Sequence, residues 1–311
     1  MICLSSFNYN LEIIMKLEIK LDTIYYDLIL MKAKEPIDIY EKSITTDYRS
    51  ELWSKFIKAI LEYKLLKDGD KIAVCISGGK DSMVLAKLFM TLTKVMDYNI
   101  EVKYLVMNPG YNEKNLNLIK ENLKKLNIPA EIHQTDIFEI ANMQTKSPCF
   151  LCAKMRRGAL YNIAKSMGCN KIALGHHYDD VIETTLMNIL SSGSFQTMLP
   201  KLHSTHYEGM EVIRPMYYIR EYDIISFRRK HGLEFIQCAC KFTDDHHNDL
   251  VQSRRAEVKE LIKKLSKSMP QVEENLFKAP DNVTLDMVLG YKYKGEYHSY
   301  YDNYDEDDKE K

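Results

Sequence analysis

No stretch of this chain is long and apolar enough to cross a bilayer. The apolar stretches near the N-terminus are broken by Glu12, Lys16, Glu18, Lys20 and Asp22, and the basic-then-apolar order of a signal peptide is missing. An excess of either charge is missing as well: 43 Lys and Arg stand against 44 Asp and Glu, for a net charge of -1. A nucleic-acid partner is therefore not announced by the total and has to be read from local patches. The cysteines lack the regular pairing of a secreted framework, being 7 in number and unevenly placed: Cys3, Cys75, Cys149, Cys152, Cys169, Cys238 and Cys240. No internal repeat is present. These absences point to a cytoplasmic protein with no membrane partner.

What is present is an ordinary globular balance, 45% apolar and 28% charged over 311 residues, enough to bury a sizeable core. Ser50 to Leu66 has helical spacing through Leu52, Trp53, Phe56, Ile60 and Leu61. Strands then alternate with helices: strands at Lys71–Ile76, Val102–Met107, Ala130–Gln134 and Lys171–Leu174, helices at Asp81–Val95, Glu113–Leu126, Ala153–Met167 and Asp179–Leu190. That alternation predicts an α/β fold, a Rossmann-like parallel sheet with helices on both faces. Such sheets bind ligands beyond the C-terminal ends of their strands, near the switch in strand order. Pro215 to Met269 reads as mostly helical, with a slight excess of base. The end is rich in tyrosine and then acidic, and its last ten or so residues are expected to be disordered.

The first strand delivers Ser77-Gly-Gly-Lys-Asp-Ser82 to that sheet edge. Gly78 and Gly79 let backbone N–H groups approach phosphate oxygens, and the following helix adds its positive dipole end. Ser77 and Ser82 offer hydroxyls and Lys80 a charge. Asp81 suits a magnesium ligand or a helix cap. The spacing differs from Walker A. The fourth strand brings Gly175-His-His-Tyr-Asp-Asp180 to the same edge. There Gly175 permits close backbone approach, His176 and His177 can donate to phosphate, and Asp179 or Asp180 can hold magnesium or orient the reacting group. The bland alternative is an Asp cap beside two surface histidines.

Cys149-x-x-Cys152 is read on a loop running into a helix, where the dipole lowers thiol pKa and suits a metal or cluster. Arg156 and Arg157 follow within about a turn. Cys238-x-Cys240 follows what reads as a short strand. A redox pair, two buried thiols and a structural zinc site are the competing readings. Cys75 and Cys169 read as packing residues.

From about Trp53 to Leu265 the chain resembles the tRNA 2-thiocytidine synthetase (TtcA) branch of the PP-loop superfamily. The residues that carry the resemblance are Ser77–Ser82, Cys149, Cys152 with Arg156-Arg157-Gly158, Gly175–Asp180 with Glu183-Thr184, Pro200-Lys-Leu202, Ile213-Arg-Pro215 and Cys238. The resemblance implies that ATP with Mg2+ adenylates the C2 oxygen of a cytidine in a tRNA anticodon loop. Sulfur delivered on a [4Fe-4S] cluster then replaces that oxygen. Asp81, Arg156, Asp179 and Asp180 would be catalytic, and Ser77–Ser82, Gly175 and His176 would bind the nucleotide. Cys149, Cys152 and Cys238 would hold the cluster. Cys240 could be a fourth ligand, a persulfide carrier or a bystander, because C-x-C stands where relatives have C-x2-C. Asn108 stands where Asp is expected. A sulfur donor such as a cysteine desulfurase or free sulfide is implied, and a homodimer is compatible.

On this reading residues 1–50 are an N-terminal extension and 51–215 the ATP-binding domain. Residues 216–290 are a helical segment completing the cluster and RNA site, and 291–311 a Tyr-rich acidic tail. Two other functions remain: a PP-loop adenylating enzyme for a different tRNA base or small molecule, and a non-enzymatic metal or cluster protein with regulatory nucleotide binding.

Overall fold

The computed structural model describes residues 35–143, 148–236, 254–302 and 304. It divides into two compact units, Met1–Asp180 with Leu199–Val251, and Val181–Met198 with Gln252–Lys311.

The first unit is built on a six-stranded sheet of order β3-β2-β1-β4-β6-β5. Its strands are β1 (Lys71–Ile76), β2 (Glu101–Asn108), β3 (Ala130–Gln134), β4 (Lys171–Ala173), β5 (Lys201–His203) and β6 (Glu211–Ile213). All neighbours are parallel except β5, which runs antiparallel to β6. The fold is the expected α/β class. β1 lies centrally and is buried from Ile72 to Ile76, as its unbroken β-forming run requires. From β1 the chain builds outward to β2 and β3, then returns to lay β4 on the other side of β1. The switch point is therefore between the C-terminal ends of β1 and β4, where the two polar motifs begin.

Among the described residues the helices of this unit are α1 (Ile39–Thr45), α2 (Ser54–Glu62, entered through a π-turn at Arg49–Trp53), α3 (Lys80–Val95), α4 (Glu113–Lys125), α5 (Ile137–Asn142), α6 (Pro148–Ser166), the start of α7 (Tyr178–Ser192) and α8 (Glu221–Lys230). α3 follows the glycine loop and is buried along most of its length, from Ser82 to Leu92. Cys75 and Cys169 pack in a cluster with Ala73, Leu105, Ala164, Ile172 and Val212, and burial pushes the Cys75 thiol up to about 12. Both are core residues, as expected.

Within the stretch read as an N-terminal extension, α1 is a helix with a capping box: Asp38 accepts from the backbone N–H groups of Tyr40 and Glu41, and Glu41 accepts from the Asp38 N–H. Seven residues cannot hold a helix alone. The anchor is Lys87 of α3, fully buried, with Asp38 at 2.7 Å, Glu41 at 2.9 Å and the Leu126 carbonyl at 3.2 Å. Burial acts to raise the Asp38 pKa, but Lys87 and the cap N–H groups outweigh it and hold the carboxyl below its ordinary value. A depressed carboxylate stabilises the fold above its unfolded pKa and loses that contribution as pH falls through the folded one. Lys87→Met leaves buried Glu41 with Lys94 alone and is expected to destabilise the unit by about 3 kcal/mol, measured by urea denaturation. A loss below about 0.5 kcal/mol would deny the anchor its role.

Several expectations are corrected. α6 begins at Pro148, so Cys149 and Cys152 belong to a helix and not to a loop before one. Proline is at home in a first helical turn, where its missing N–H has no intrahelical partner. Among the described residues, the segment leading to Cys238, read as a short strand, forms none up to Ile236; it is tied instead by Asn122 Nδ2, which donates to the Glu234 carbonyl at 2.7 Å. Cys238 and Cys240, and the acidic end from Asp305, lie outside the described residues.

The second unit contains most of α7, α9 (Arg254–Ser268), α10 (Val272–Lys278) and a hairpin of β7 (Gly290–Tyr293) and β8 (Glu296–Ser299). The Tyr-rich end is thus partly a hairpin. Its two-residue turn puts Lys294 and Gly295 at φ 50° and 91°, as a primed turn demands. Arg255 donates to Thr184 Oγ1 at 3.3 Å and lies 3.9 Å from Glu183, so it is not a purely solvated charge. Among the described residues, no helix is long and apolar enough to cross a membrane.

Candidate active site

The loop after β1 turns at Gly78, where φ is +86°. A Cβ there would lie 2.7 Å from Ile119 and 2.8 Å from Ile236, so both the backbone and the space select glycine. Ser82 Oγ accepts from the Ser77 N–H at 3.1 Å and the Ser77 hydroxyl at 3.2 Å, and donates to the Gly79 carbonyl at 2.9 Å. Ser82 therefore braces the loop from within, and its proton is already placed. The N-cap of α3 is Gly79, with no side-chain cap, so the first-turn N–H groups stay available to an anion. This excludes Asp81 as the helix cap.

Gly175 comes from the end of β4. A Cβ on it would stand 3.0 Å from the Asp81 carbonyl carbon and 3.1 Å from the Ser82 nitrogen. The absence of a side chain lets the second motif rest on the first turn of α3. His177 is only 5% exposed, which removes the reading of two surface histidines. Its backbone N–H donates to Asp180 at 3.1 Å and its Nδ1 accepts from the Asp180 N–H at 3.4 Å, the reciprocal pattern of a capping box at the start of α7. Its Nε2 is 3.7 Å from Asp81, and its Nδ1 is 3.8 Å from Asp179. One buried imidazole thus ties together three of the carboxylates singled out in the sequence. His176 is half-buried beside it.

Lys80 Nζ meets Asp81 at 3.1 Å and Glu221 at 2.9 Å. Burial acts to lower the Lys80 pKa, but the two carboxylates outweigh it and hold the ammonium above its usual range. Asp179 is gripped by Arg220, at 3.0 Å through Nη2 and 3.2 Å through Nε, and by the Glu221 N–H at 2.7 Å. Arg220 also lies over the Tyr178 ring, 4.8 Å from its centroid. Asp81 Oδ1 is buried and lies 3.1 Å from the Lys80 ammonium without a well-aligned hydrogen bond. A carboxylate oxygen so placed beside a phosphate-ready helix end fits a magnesium ion carried in on nucleotide phosphates, which usually needs only one or two protein carboxylates. Among the described residues no three His, Cys, Asp or Glu side chains form a metal cage of their own.

Asn108, where Asp was expected, organises a turn. Its Oδ1 accepts from the N–H groups of Gly110 at 3.0 Å and Tyr111 at 2.7 Å, while its Nδ2 donates to Gln134. The turn brings Tyr111 onto the glycine loop, where its hydroxyl donates to the Ser77 carbonyl at 3.1 Å. Burial raises the Tyr111 pKa; Arg156 acts against this and Cys152 adds to it. The half-buried Cys152 and Arg156 of α6 therefore lie within electrostatic reach of a residue touching the phosphate loop. Burial lowers the Arg214 pKa, and Arg157 contributes to that shift. Two neighbouring guanidinium groups suit an anion. The side chain of Cys149 lies outside the described residues.

The structure thus gathers Lys80, Asp81, Asp179 and Asp180 at one sheet edge. Tyr111, Arg220 and Glu221 join them without having stood out in the sequence. The PP-loop domain matches residues 50–265. The tRNA-cytidine(32) 2-sulfurtransferase of Geotalea uraniireducens (strain Rf4) is 37% identical over 230 residues, 73% of this chain and 88% of that protein. The enzyme of the same name from Pelobacter propionicus (strain DSM 2379 / NBRC 103807 / OttBd1) is 35% identical over 73% of this chain and 83% of its own length. The chain belongs to the tRNA-cytidine(32) 2-sulfurtransferase family of PP-loop proteins. The U34-tRNA thiolase NcsA from Methanococcus maripaludis, with its [4Fe-4S] cluster, shares the fold at a TM-score of 0.58 and 21% identity, over 73% of this chain and 76% of that one. Family membership gives the glycine loop its reading as an ATP site. It leaves α1 and the C-terminal hairpin outside the matched region.

Proposed function

We propose that this protein uses ATP to replace the C2 oxygen of cytidine 32 in a tRNA by sulfur, the reaction its relatives are named for. The observation that carries the reading is the convergence of Lys80, Asp81 and Asp179 on the uncapped start of α3. The N–H groups of that turn and Lys80 hold the β- and γ-phosphates, and Asp81 with Asp179 faces the cation that travels with them. The C2 oxygen attacks the α-phosphorus and pyrophosphate leaves. Sulfur then adds at C2, and AMP departs with the original oxygen. Lys80 and the helix dipole stabilise the charge on the leaving pyrophosphate, and Arg156, within electrostatic reach of Tyr111, meets the nucleotide or the RNA backbone. Arg157 and Arg214 offer a further phosphate contact.

When bound, a [4Fe-4S] cluster held by Cys149, Cys152 and Cys238 would supply sulfur to the activated carbon. The sulfur comes ultimately from a cysteine desulfurase or free sulfide. The electrostatic reach of Cys152 to Tyr111, and so to the loop, supports a cysteine-bound centre close to the nucleotide.

The test is an anaerobic assay with ATP, magnesium, sulfide and two tRNA transcripts that differ only in carrying C or U at position 32. Nucleoside mass spectrometry should find 2-thiocytidine in the first and no thiolated base in the second. Thiolation of another base, or none in either transcript, would reject the assignment.

A further inference from the structure

Arg220 and Glu221 enter α8 at the same sheet edge as the glycine loop, yet neither stood out in the sequence. The dipeptide is firmly set. The Ile219 carbonyl accepts from the Tyr178 N–H at 2.9 Å, tying it to the start of α7. Asp223, two residues on, is buried and paired with Lys55 at 3.1 Å. From this position the Glu221 carboxylate reaches Lys80 at 2.9 Å, while its backbone N–H holds Asp179 at 2.7 Å and Arg220 grips that same aspartate.

Lys80 therefore serves two carboxylates, and a polyphosphate settling on the start of α3 needs the same ammonium. Asp81 is the sequence neighbour of Lys80 in the same helical turn. Glu221 approaches from a separate element on a side chain with three rotatable bonds. It can swing away while its backbone N–H stays on Asp179. Like charges crowded on one cation disfavour one another, so phosphates arriving at Lys80 act against the carboxylate that reaches it from another element.

We propose that Glu221 is the internal counter-anion of Lys80 that the nucleotide's phosphates displace, a positioning residue that lowers the affinity of the empty loop for polyphosphate. The inference rests on the ATP reading of that loop. Occupied by Glu221, Lys80 is held charged and oriented while no nucleotide is bound. Released, it turns to the phosphates that take the carboxylate's place.

The test is calorimetric titration of the full chain with pyrophosphate, and with ATP, each with and without magnesium. The proteins compared are the wild type, Glu221→Gln, Lys80→Met and the double variant. Glutamine keeps the shape and loses the charge. Glu221→Gln is expected to bind pyrophosphate about tenfold more tightly without magnesium, and the gain should vanish when Lys80 is methionine. A merely structural role predicts no gain in affinity. Unchanged or weaker binding without magnesium would overturn the proposal. So would a loss confined to magnesium-containing titrations, which would make Glu221 a metal ligand. A wild type that binds neither ligand would overturn the ATP reading itself, and this inference with it.

Discussion

Asp81→Asn is expected to slow tRNA-dependent pyrophosphate release by about a hundredfold or more, while the melting transition stays within about 1 kcal/mol of the wild type. The carboxylate sits in the first turn of α3, 3.1 Å from Lys80 and 3.7 Å from the buried His177, with Oδ1 accepting no hydrogen bond of good geometry. That oxygen contributes little to folding. Its value lies in a second charge aimed where a cation and the leaving pyrophosphate meet. Asparagine preserves the volume and removes the charge, so the magnesium concentration needed for half-maximal rate should rise. The competing view of this residue as a helix cap makes the opposite forecast, a stability loss with chemistry intact. Gly79 already holds the cap position. Steady-state pyrophosphate release at several magnesium concentrations, beside a thermal melt, separates the two. Unchanged turnover would remove Asp81 from the site.

The parts of the molecule legible in the sequence carry a local signal of their own: nearly complete burial in β1 and α3, and firm turn residues on either side of the half-exposed β3. Lys71–Ile76 and Ala130–Gln134 fall where the β-forming runs place them, and Lys80–Val95 starts one residue before its expected limit. Each is bounded by glycine, proline or a polar pair. β5 and β6 have three residues apiece, too short for a period to show, and exist through pairing at the sheet edge. α1 was illegible because its stability is tertiary. Lys87 is an ordinary charge to a hydrophobicity pattern, and only the fold shows it fully buried between Asp38 and Glu41. Lys171, also fully buried, escapes in the same way, between Asp70 at 2.9 Å and Glu211 at 3.0 Å. At the site, glycine spacing announced the loop. Arg220 and Glu221, by contrast, lay in a segment that reads as mixed charge. Their sequence separation from Lys80 and Asp179 leaves no local signal, and only the position just before an amphipathic helical run hinted at a role. The start of α6 is signalled only by Pro148, a residue that fits a first helical turn as readily as a loop.

Cys152→Ala should abolish thiolation and leave adenylation in place. The thiol is half-buried in α6, one turn before Arg156, and both act electrostatically on Tyr111, whose hydroxyl donates to the Ser77 carbonyl. This puts the thiol within electrostatic reach of a residue that touches the nucleotide loop, without making it a part of that loop. Lys80 is held by Asp81 and Glu221, and Asp179 by Arg220 and the Glu221 N–H. The two half-reactions should therefore come apart. Rapid-quench measurement should show a burst of pyrophosphate on mixing with ATP and tRNA, followed by a stall as activated tRNA accumulates. Nucleoside analysis of the same sample should contain no 2-thiocytidine. A variant that loses the burst as well would assign Cys152 to the nucleotide site or to the packing of α6. A variant that still makes 2-thiocytidine would leave sulfur delivery without this cysteine and return the choice to a PP-loop adenylating enzyme of another kind. Metal and sulfide analysis of the anaerobically purified pair adds a readout independent of turnover: iron and acid-labile sulfide present in the wild type should fall in the alanine variant, whereas bound zinc in both would mark the cysteines as a structural site.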